Sequence, residues 1–157
     1  MNPPPPYVAV VGPGDADAAA EHDAEVVGRE LATAGAIVVC GGLGGVMAAA
    51  CRGAREAGGT TVGLLPGSDR AAANEWVSVA VPTGMGELRN GLVVRAADAV
   101  VAVRGGYGTL SEIALALKLG RPVVGVGTWD IAAVASMDDA RAAARCALEL
   151  VTSSPPT

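Results

Sequence analysis

At 157 residues the chain is long enough for one domain with a sizeable core, and 51% of its residues are hydrophobic. Its net charge of −5 excludes the broad basic surface of a general nucleic-acid-binding protein. No apolar run approaches the about 18 residues of a membrane helix. The three cysteines lack the C-x-x-C spacing of a zinc site. We therefore expect a cytoplasmic protein with reduced thiols and no metal, nucleic-acid or membrane partner.

Short apolar runs alternate along the chain with segments of helical periodicity. We predict a first helix capped by Asp15 or Asp17 and an alanine-rich helix that ends near residue 57. Further helices are predicted at 86–97, 109–119 and about 138–150. The apolar runs predict strands at residues 7–11, 36–40, 60–65, 76–81, 99–103 and 122–126.

Nearly continuous apolar strands joined by helices are typical of a parallel sheet that is covered on both faces. The predicted fold is therefore α/β, a Rossmann-like doubly wound parallel sheet with helices on both faces. We expect a single domain at residues 7–151. The proline-rich lead at 1–6 and the tail at 152–157 are predicted to be disordered.

Three glycine turns follow predicted strands, at 12–14, 41–45 and 105–108. In an open α/β sheet, ligands bind at the carboxyl ends of the strands. Each turn by itself can also serve only to start a helix close to the sheet, but three turns at one edge favour a ligand site. The candidate phosphate-binding residues are Gly12, Gly14, Gly42, Gly44, Gly45, Gly105, Gly106, Gly108 and Thr109.

The third turn carries the most specific signal. The strand at 99–103 runs into glycines and then into a helix with Thr109 and Glu112 in its first turn. A helix N-terminus presents unpaired backbone N–H groups and a positive dipole end to an anion. Glycine permits φ > 0 and lets a phosphate approach the backbone. This segment therefore predicts a phosphate site with a carboxylate beside it.

A dinucleotide cofactor fits these turns poorly. None reads G-x-G-x-x-G, since the last position is Asp17, Met47 or Ser111, and no G-K-[ST] pair marks a P-loop. Separate small cradles suit a mononucleotide or sugar phosphate better, so we expect no cofactor. The only lysine of the sequence, Lys118, lies far from the glycine turns, which excludes a pyridoxal-phosphate-dependent lysine decarboxylase.

The segment Gly105-Gly-Tyr-Gly-Thr-Leu-Ser-Glu112, preceded by Arg89-Asn90 and by the turn at 41–47, resembles the Lonely Guy (LOG) family. These are cytokinin-activating phosphoribohydrolases, long labelled lysine decarboxylase-like. The resemblance covers residues 7 to 126, and its P-G-G-x-G-T-x-x-E motif is specific. The chain is more similar to a shorter bacterial branch, which also resembles molybdenum cofactor carrier proteins.

This resemblance implies a homodimer or homotetramer that hydrolyses the N-glycosidic bond of a nucleoside 5′-monophosphate to base and ribose 5-phosphate. It implies that Glu112 and Arg89 are catalytic and that residues 105–109 hold the phosphate. Arg104 stands where the enzymes usually have proline, and Asn90 replaces the lysine of an R-K pair. The alternative is a non-catalytic carrier of a phosphorylated ligand such as molybdopterin cofactor.

The chemistry of glycosidic cleavage fits a carboxylate, because it can stabilise an oxocarbenium-like state and orient a water molecule. Glu112 has a structural alternative, a capping box in which it bonds the backbone N–H of Thr109. Arg89 can contact phosphate or ribose bidentately, or it can be an exposed helix arginine or form a salt bridge with Glu87 or Asp98.

The roles of five further residues stay open at the level of sequence. Arg104 can bind phosphate or face another subunit. Met47 and Met85 can line a base pocket or pack in the core. The tryptophan at position 129, like that at position 76, can stack on a base or lie in an interface.

Overall fold

The computed structural model describes residues 2–154. Seven strands and five α-helices alternate along this part of the chain. The strands are β1 (Tyr7–Val11), β2 (Ile37–Cys40), β3 (Thr61–Leu65), β4 (Val79–Pro82), β5 (Ala99–Val103), β6 (Val123–Val126) and β7 (Ala135–Met137). The helices are α1 (Ala18–Thr33), α2 (Val46–Glu56), α3 (Arg89–Arg95), α4 (Tyr107–Lys118) and α5 (Ala140–Ser153).

The strands form one sheet in the order β4-β3-β2-β1-β5-β6-β7, and all neighbouring strands are parallel. The strand order reverses direction at β1, which pairs with both β2 and β5. This is the topological switch point at which doubly wound sheets bind ligands. The prediction of a Rossmann-like doubly wound parallel sheet is confirmed.

Alternate residues of the central strands supply two separate cores. On β1, Val8 and Val10 pack with α1, α2 and α5, whereas Ala9 and Val11 pack with α3 and α4. The side chains on both faces are fully or almost fully buried. Helices therefore cover both faces of the sheet, as the continuous apolar strands predict.

Two elements differ from their predicted bounds or type. The fourth strand begins at Val79 rather than at 76, because residues 74–77 form a turn. In this turn the Asn74 side chain accepts a hydrogen bond from the Trp76 N–H, at 3.0 Å, and the Asn74 carbonyl accepts one from Val77. The predicted helix at 86–97 is a 3₁₀ turn at 86–88 followed by α3.

Strand β7 was not predicted, since its three residues, Ala-Ser-Met, carry little strand signal. At the other end of the chain, α5 continues through Ser153, so two residues of the predicted tail are helical. The Thr152 and Ser153 hydroxyls both donate to the Glu149 carbonyl at 2.8 Å and stabilise this last turn. Residues 155–157 of the tail and residue 1 of the lead lie outside the described residues; the single-domain division stays a prediction.

Within residues 2–154, no helix combines the length and the apolar character that crossing a membrane requires.

Candidate functional site

The turn between β5 and α4 presents a helix N-terminus at the switch point. Arg104 and Gly105 have φ values of 55° and 122°, and Gly106 is the N-cap of α4. The helix begins at Tyr107, two residues earlier than predicted. The N–H groups of residues 107–109 therefore belong to the first helical turn and have no acceptor within the helix. Such a helix end can bind an anion, as the sequence predicts for this segment.

This start of α4 excludes the capping-box alternative for Glu112. Thr109 is the third helical residue rather than the N-cap, and Gly106 makes no side-chain capping bond. The Glu112 side chain therefore does not complete a box with Thr109. Both residues are buried in the first two turns of the helix, with 4% of Thr109 and 9% of Glu112 exposed.

A cleft of about 300 Å³ lies between this turn, the turn after β1 and the start of α3. It brings together seven of the predicted site residues: Gly12, Gly14, Arg89, Gly106, Gly108, Thr109 and Glu112. Pro13, Met47 and Asn90 complete its lining. Met47 thus lies at the cleft, as one of its two predicted roles requires, whereas Met85 is exposed and does not line it.

The other four predicted glycines do not line the cleft, and their surroundings give them structural roles. Gly42, at φ 79°, packs against Leu65 of β3. A Cβ on Gly45 would lie 2.4 Å from the Pro13 carbonyl oxygen, so this glycine lets two of the turns meet. Gly44 is exposed beside the Gly14 carbonyl. Gly105 makes room for the Thr109 side chain, as described below.

Arg89 is buried at the base of the cleft, with 8% of its surface exposed. One terminal nitrogen donates to the Asn90 side-chain oxygen and the other to the Gly41 carbonyl, at 3.4 Å. Its Nε is buried and has no hydrogen-bond partner within residues 2–154. The predicted alternatives, an exposed arginine or a salt bridge with Glu87 or Asp98, are wrong.

Two residues that hold Arg89 were not among the predicted site residues. A Cβ on Gly41 would lie 2.7 Å from the Arg89 Nη2 atom, so a larger residue there would force the guanidinium group to move. Asn90 provides the side-chain acceptor. The position of Gly41 within a glycine turn was visible in the sequence, but its contact with a residue 48 positions away was not.

Glu112 is the buried acid of the cleft. Burial raises its pKa to about 7, although the positive charge of Arg89 acts in the opposite direction. Its carboxylate accepts no hydrogen bond and forms no ion pair within the described residues. Burial has the opposite effect on a base and lowers the pKa of the Arg89 guanidinium, which nevertheless stays charged at neutral pH. A carboxyl group with a pKa near neutrality is suited to general acid–base chemistry.

The raised pKa of Glu112 makes stability depend on pH. Between pH 4.5 and 7 the folded protein holds this proton more tightly than the unfolded chain, so its contribution to the free energy of unfolding falls as pH rises. The fall amounts to about 3 kcal/mol and is complete above pH 7. Denaturant titration of wild type and Glu112→Gln is expected to show this fall only in wild type. Parallel pH curves for the two proteins would contradict the assignment.

Arg104 faces away from the cleft. Its guanidinium donates to Asp23 at 2.8 Å and to the Val126 carbonyl at 3.1 Å. Proline fixes φ near −65°, whereas Arg104 has φ 55°. Proline could therefore not adopt this backbone conformation, and Arg104 does not line the cleft in which the phosphate is expected.

Gly105→Ala is expected to abolish detectable binding of phosphate ligands. A Cβ at this position would lie 2.3–2.4 Å from the side-chain atoms of Thr109 and would displace that residue from the cleft. Gly120→Ala is the matched control, because Gly120 has φ 72° but open space around it. Both variants should lose about 1 kcal/mol of stability from the positive φ. Equal phosphate affinity in the two, measured by calorimetry, would contradict a role for the 105–109 turn.

A second cleft of about 230 Å³ adjoins the first and shares Asn90 and Glu112 with it. Leu88 and Leu115 supply its apolar lining, and Ser111 adds a hydroxyl group. Asn90 and Glu112 therefore border both clefts.

Solved structures of similar proteins cover almost the whole chain. The molybdenum cofactor binding protein from Rippkaea orientalis superposes with a TM-score of 0.85 at 32% identity, over 96% of this chain and 97% of that one. The molybdenum cofactor carrier protein from Chlamydomonas reinhardtii gives a TM-score of 0.85 at 34% identity, over 95% and 99%.

One curated relative carries the name of an enzyme. A probable cytokinin riboside 5′-monophosphate phosphoribohydrolase of rice (Oryza sativa subsp. japonica) is 33% identical over 99 residues, or 62% of this chain. The match spans only 42% of the rice protein. The SLOG cluster4 family model matches residues 5–152. The resemblance predicted from the glycine motifs is thereby confirmed, and the chain belongs to the SLOG cluster4 family.

Proposed function

We propose that the cleft binds a nucleoside 5′-monophosphate and hydrolyses its N-glycosidic bond. The observation that carries this proposal is the carboxyl group of Glu112, which is buried beside the N-terminus of α4 without a hydrogen-bond partner in the described residues. Burying such a group lowers stability unless a ligand uses it. A carboxyl group with this environment, in a cleft, is typical of a functional site.

The phosphate is expected at the first turn of α4. The N–H groups of residues 107–109 and the Thr109 hydroxyl supply donors there. Arg89 adds the positive charge, and each of its terminal nitrogens, which contact Asn90 and Gly41, carries a second N–H that can donate to a ligand. The ribose then lies over Glu112 and the base extends toward the second cleft.

Glu112 acts on the anomeric carbon in this arrangement. As the C1′–N bond breaks, positive charge develops on the sugar, and the ionised carboxylate stabilises it. Glu112 orients a water molecule and takes a proton from it while the water oxygen bonds to C1′. The leaving base takes a proton from solvent, and Glu112 later returns its proton to solvent, so the products of one water and one nucleotide are the free base and ribose 5-phosphate. A pKa of about 7 lets Glu112 accept and release this proton near neutral pH.

A chromatographic assay over a panel of nucleoside 5′-monophosphates tests the proposal. Wild-type protein is expected to release a free base and ribose 5-phosphate in equal amounts from at least one of them. The matching nucleosides without phosphate should react far more slowly, because they lack the group held by α4. Binding without release from any nucleotide would contradict the hydrolase proposal.

A carrier of a phosphorylated ligand is the second candidate. It is supported by the two molybdenum cofactor proteins, which match the chain over at least 95% of its length. The side chain of Asn90 also engages Arg89 at the place where the LOG enzymes have lysine. For a carrier we expect intact molybdopterin cofactor or another phosphorylated ligand to copurify with the protein and to remain unchanged on incubation.

We also propose a homodimer or homotetramer in the cytoplasm. Apolar residues exposed near the clefts support self-association, with 43% of Met85 and 75% of Leu88 exposed. The free thiols of Cys40 and Cys51, which are hydrogen-bonded to each other at 3.4 Å, support a reducing compartment. Light scattering should give the mass of a dimer or tetramer, and a monomer would contradict the assembly.

A further inference from the structure

We propose that Trp129 is a positioning residue that holds the phosphate-binding turn in its active shape. The proposal rests on the proposed function, because it concerns the same phosphate site. Trp129 lies in the loop after β6 and does not line the cleft. Any effect of Trp129 on a ligand must therefore pass through the turn between β5 and α4.

Two neighbouring side chains of this loop donate hydrogen bonds to carbonyl groups of the turn. The Thr128 hydroxyl donates to the Arg104 carbonyl at 2.6 Å. The Trp129 indole N–H donates to the Gly106 carbonyl at 3.1 Å. The backbone N–H of Arg104, in the turn, donates to the Val126 carbonyl at 3.0 Å. Val126 comes just before this loop. The loop thus engages three backbone groups of the turn.

The Gly106 carbonyl is the most consequential of these groups. It belongs to the N-cap of α4 and also accepts the first backbone hydrogen bond of the helix, from Leu110, at 3.0 Å. The hydrogen bond from Trp129 therefore fixes the orientation of the peptide group between Gly106 and Tyr107. The orientation of this group determines where the N–H groups of residues 107–109 point. Its ring also stacks on Tyr107, with 6.0 Å between ring centroids and 29° between planes.

The turn needs such support because its backbone is strained. Arg104 has φ 55°, a region that non-glycine residues rarely occupy, and Gly105 follows at φ 122°. Such conformations persist where the surrounding structure fixes them. In the absence of the indole N–H, the turn is expected to populate other conformations in which fewer N–H groups face the cleft.

Trp129→Phe tests the proposal, because phenylalanine keeps an aromatic ring against Tyr107 and removes the N–H donor together with one of the two fused rings. Calorimetry with inorganic phosphate is expected to show affinity reduced about three- to tenfold, the effect of one neutral hydrogen bond. A nucleoside without phosphate should bind both proteins equally. Trp76→Phe is the matched control, since Trp76 lies near β4 and does not line the cleft; its phosphate affinity should equal that of wild type.

Equal phosphate affinity in wild type and Trp129→Phe would overturn the positioning role and leave the proposed function standing. Failure of wild type to bind phosphate or any nucleotide would overturn both. Fluorescence gives a second readout that needs no change at Trp129. In Trp76→Phe, position 129 is the only tryptophan, and saturating phosphate is expected to change its emission. An unchanged spectrum under these conditions would contradict the coupling.

Discussion

Replacing Glu112 by glutamine is expected to lower kcat for base release by about 10²- to 10⁴-fold, the usual contribution of an acid–base group. The amide has nearly the same shape as the carboxyl group but cannot become negative or exchange a proton. Nucleotide affinity should stay within a few-fold of wild type, because the phosphate contacts come from other residues. Initial rates and calorimetric binding constants, measured on the same preparations, separate these two effects.

Glu87→Gln provides the control for this experiment. Glu87 lies in the neighbouring 3₁₀ turn and lines only the second cleft, so the same chemical change is made outside the catalytic position. This variant should retain wild-type turnover to within a few-fold. Full activity of Glu112→Gln would exclude Glu112 as the catalytic group, whereas equal losses in both variants would indicate a general effect of charge.

Arg89→Met is expected to weaken binding of nucleoside monophosphates by about 10- to 100-fold. Methionine fills part of the buried space but supplies neither the charge nor the donors for a phosphate, and hydrogen bonds between charged groups account for losses of this size. Arg95→Met is the control, since Arg95 is exposed at the end of the same helix. Unchanged affinity in Arg89→Met would contradict the contact between Arg89 and the phosphate.

The same variant should also change the pH dependence of turnover. The charge of Arg89 lowers the pKa of Glu112, so its removal is expected to move that pKa above 7. The rise of kcat with pH that marks ionisation of Glu112 should therefore shift to higher pH in Arg89→Met. An unshifted profile would indicate that the titrating group is not Glu112.

The sheet and its switch point were predictable because their signals are local. Five-residue apolar runs followed by glycine turns identify parallel strands and the edge where a ligand binds. Strand β7, which the sequence did not predict, has only three residues. Its pairing with β6 therefore depends on the rest of the sheet. Local patterns thus gave the architecture but not the last edge strand.

The site was predictable only in part, because equal glycine patterns have different roles in the folded protein. Gly14 and Gly106 line the cleft and have room for a Cβ, whereas Gly42 and Gly45 allow close packing. The sequence also allowed Glu112 to act as a cap, and only the start of α4 at Tyr107 excluded this. These distinctions depend on contacts between distant segments, which no local pattern contains.

A crystal structure of Glu112→Gln with a bound nucleoside 5′-monophosphate tests the central claim most directly. The phosphate is expected at the N–H groups of residues 107–109 with Arg89 in contact, and C1′ is expected beside the side chain of residue 112. Water should have room to reach C1′ from that side chain. A phosphate bound at another turn, or a sugar with C1′ remote from residue 112, would contradict the proposed site and its chemistry.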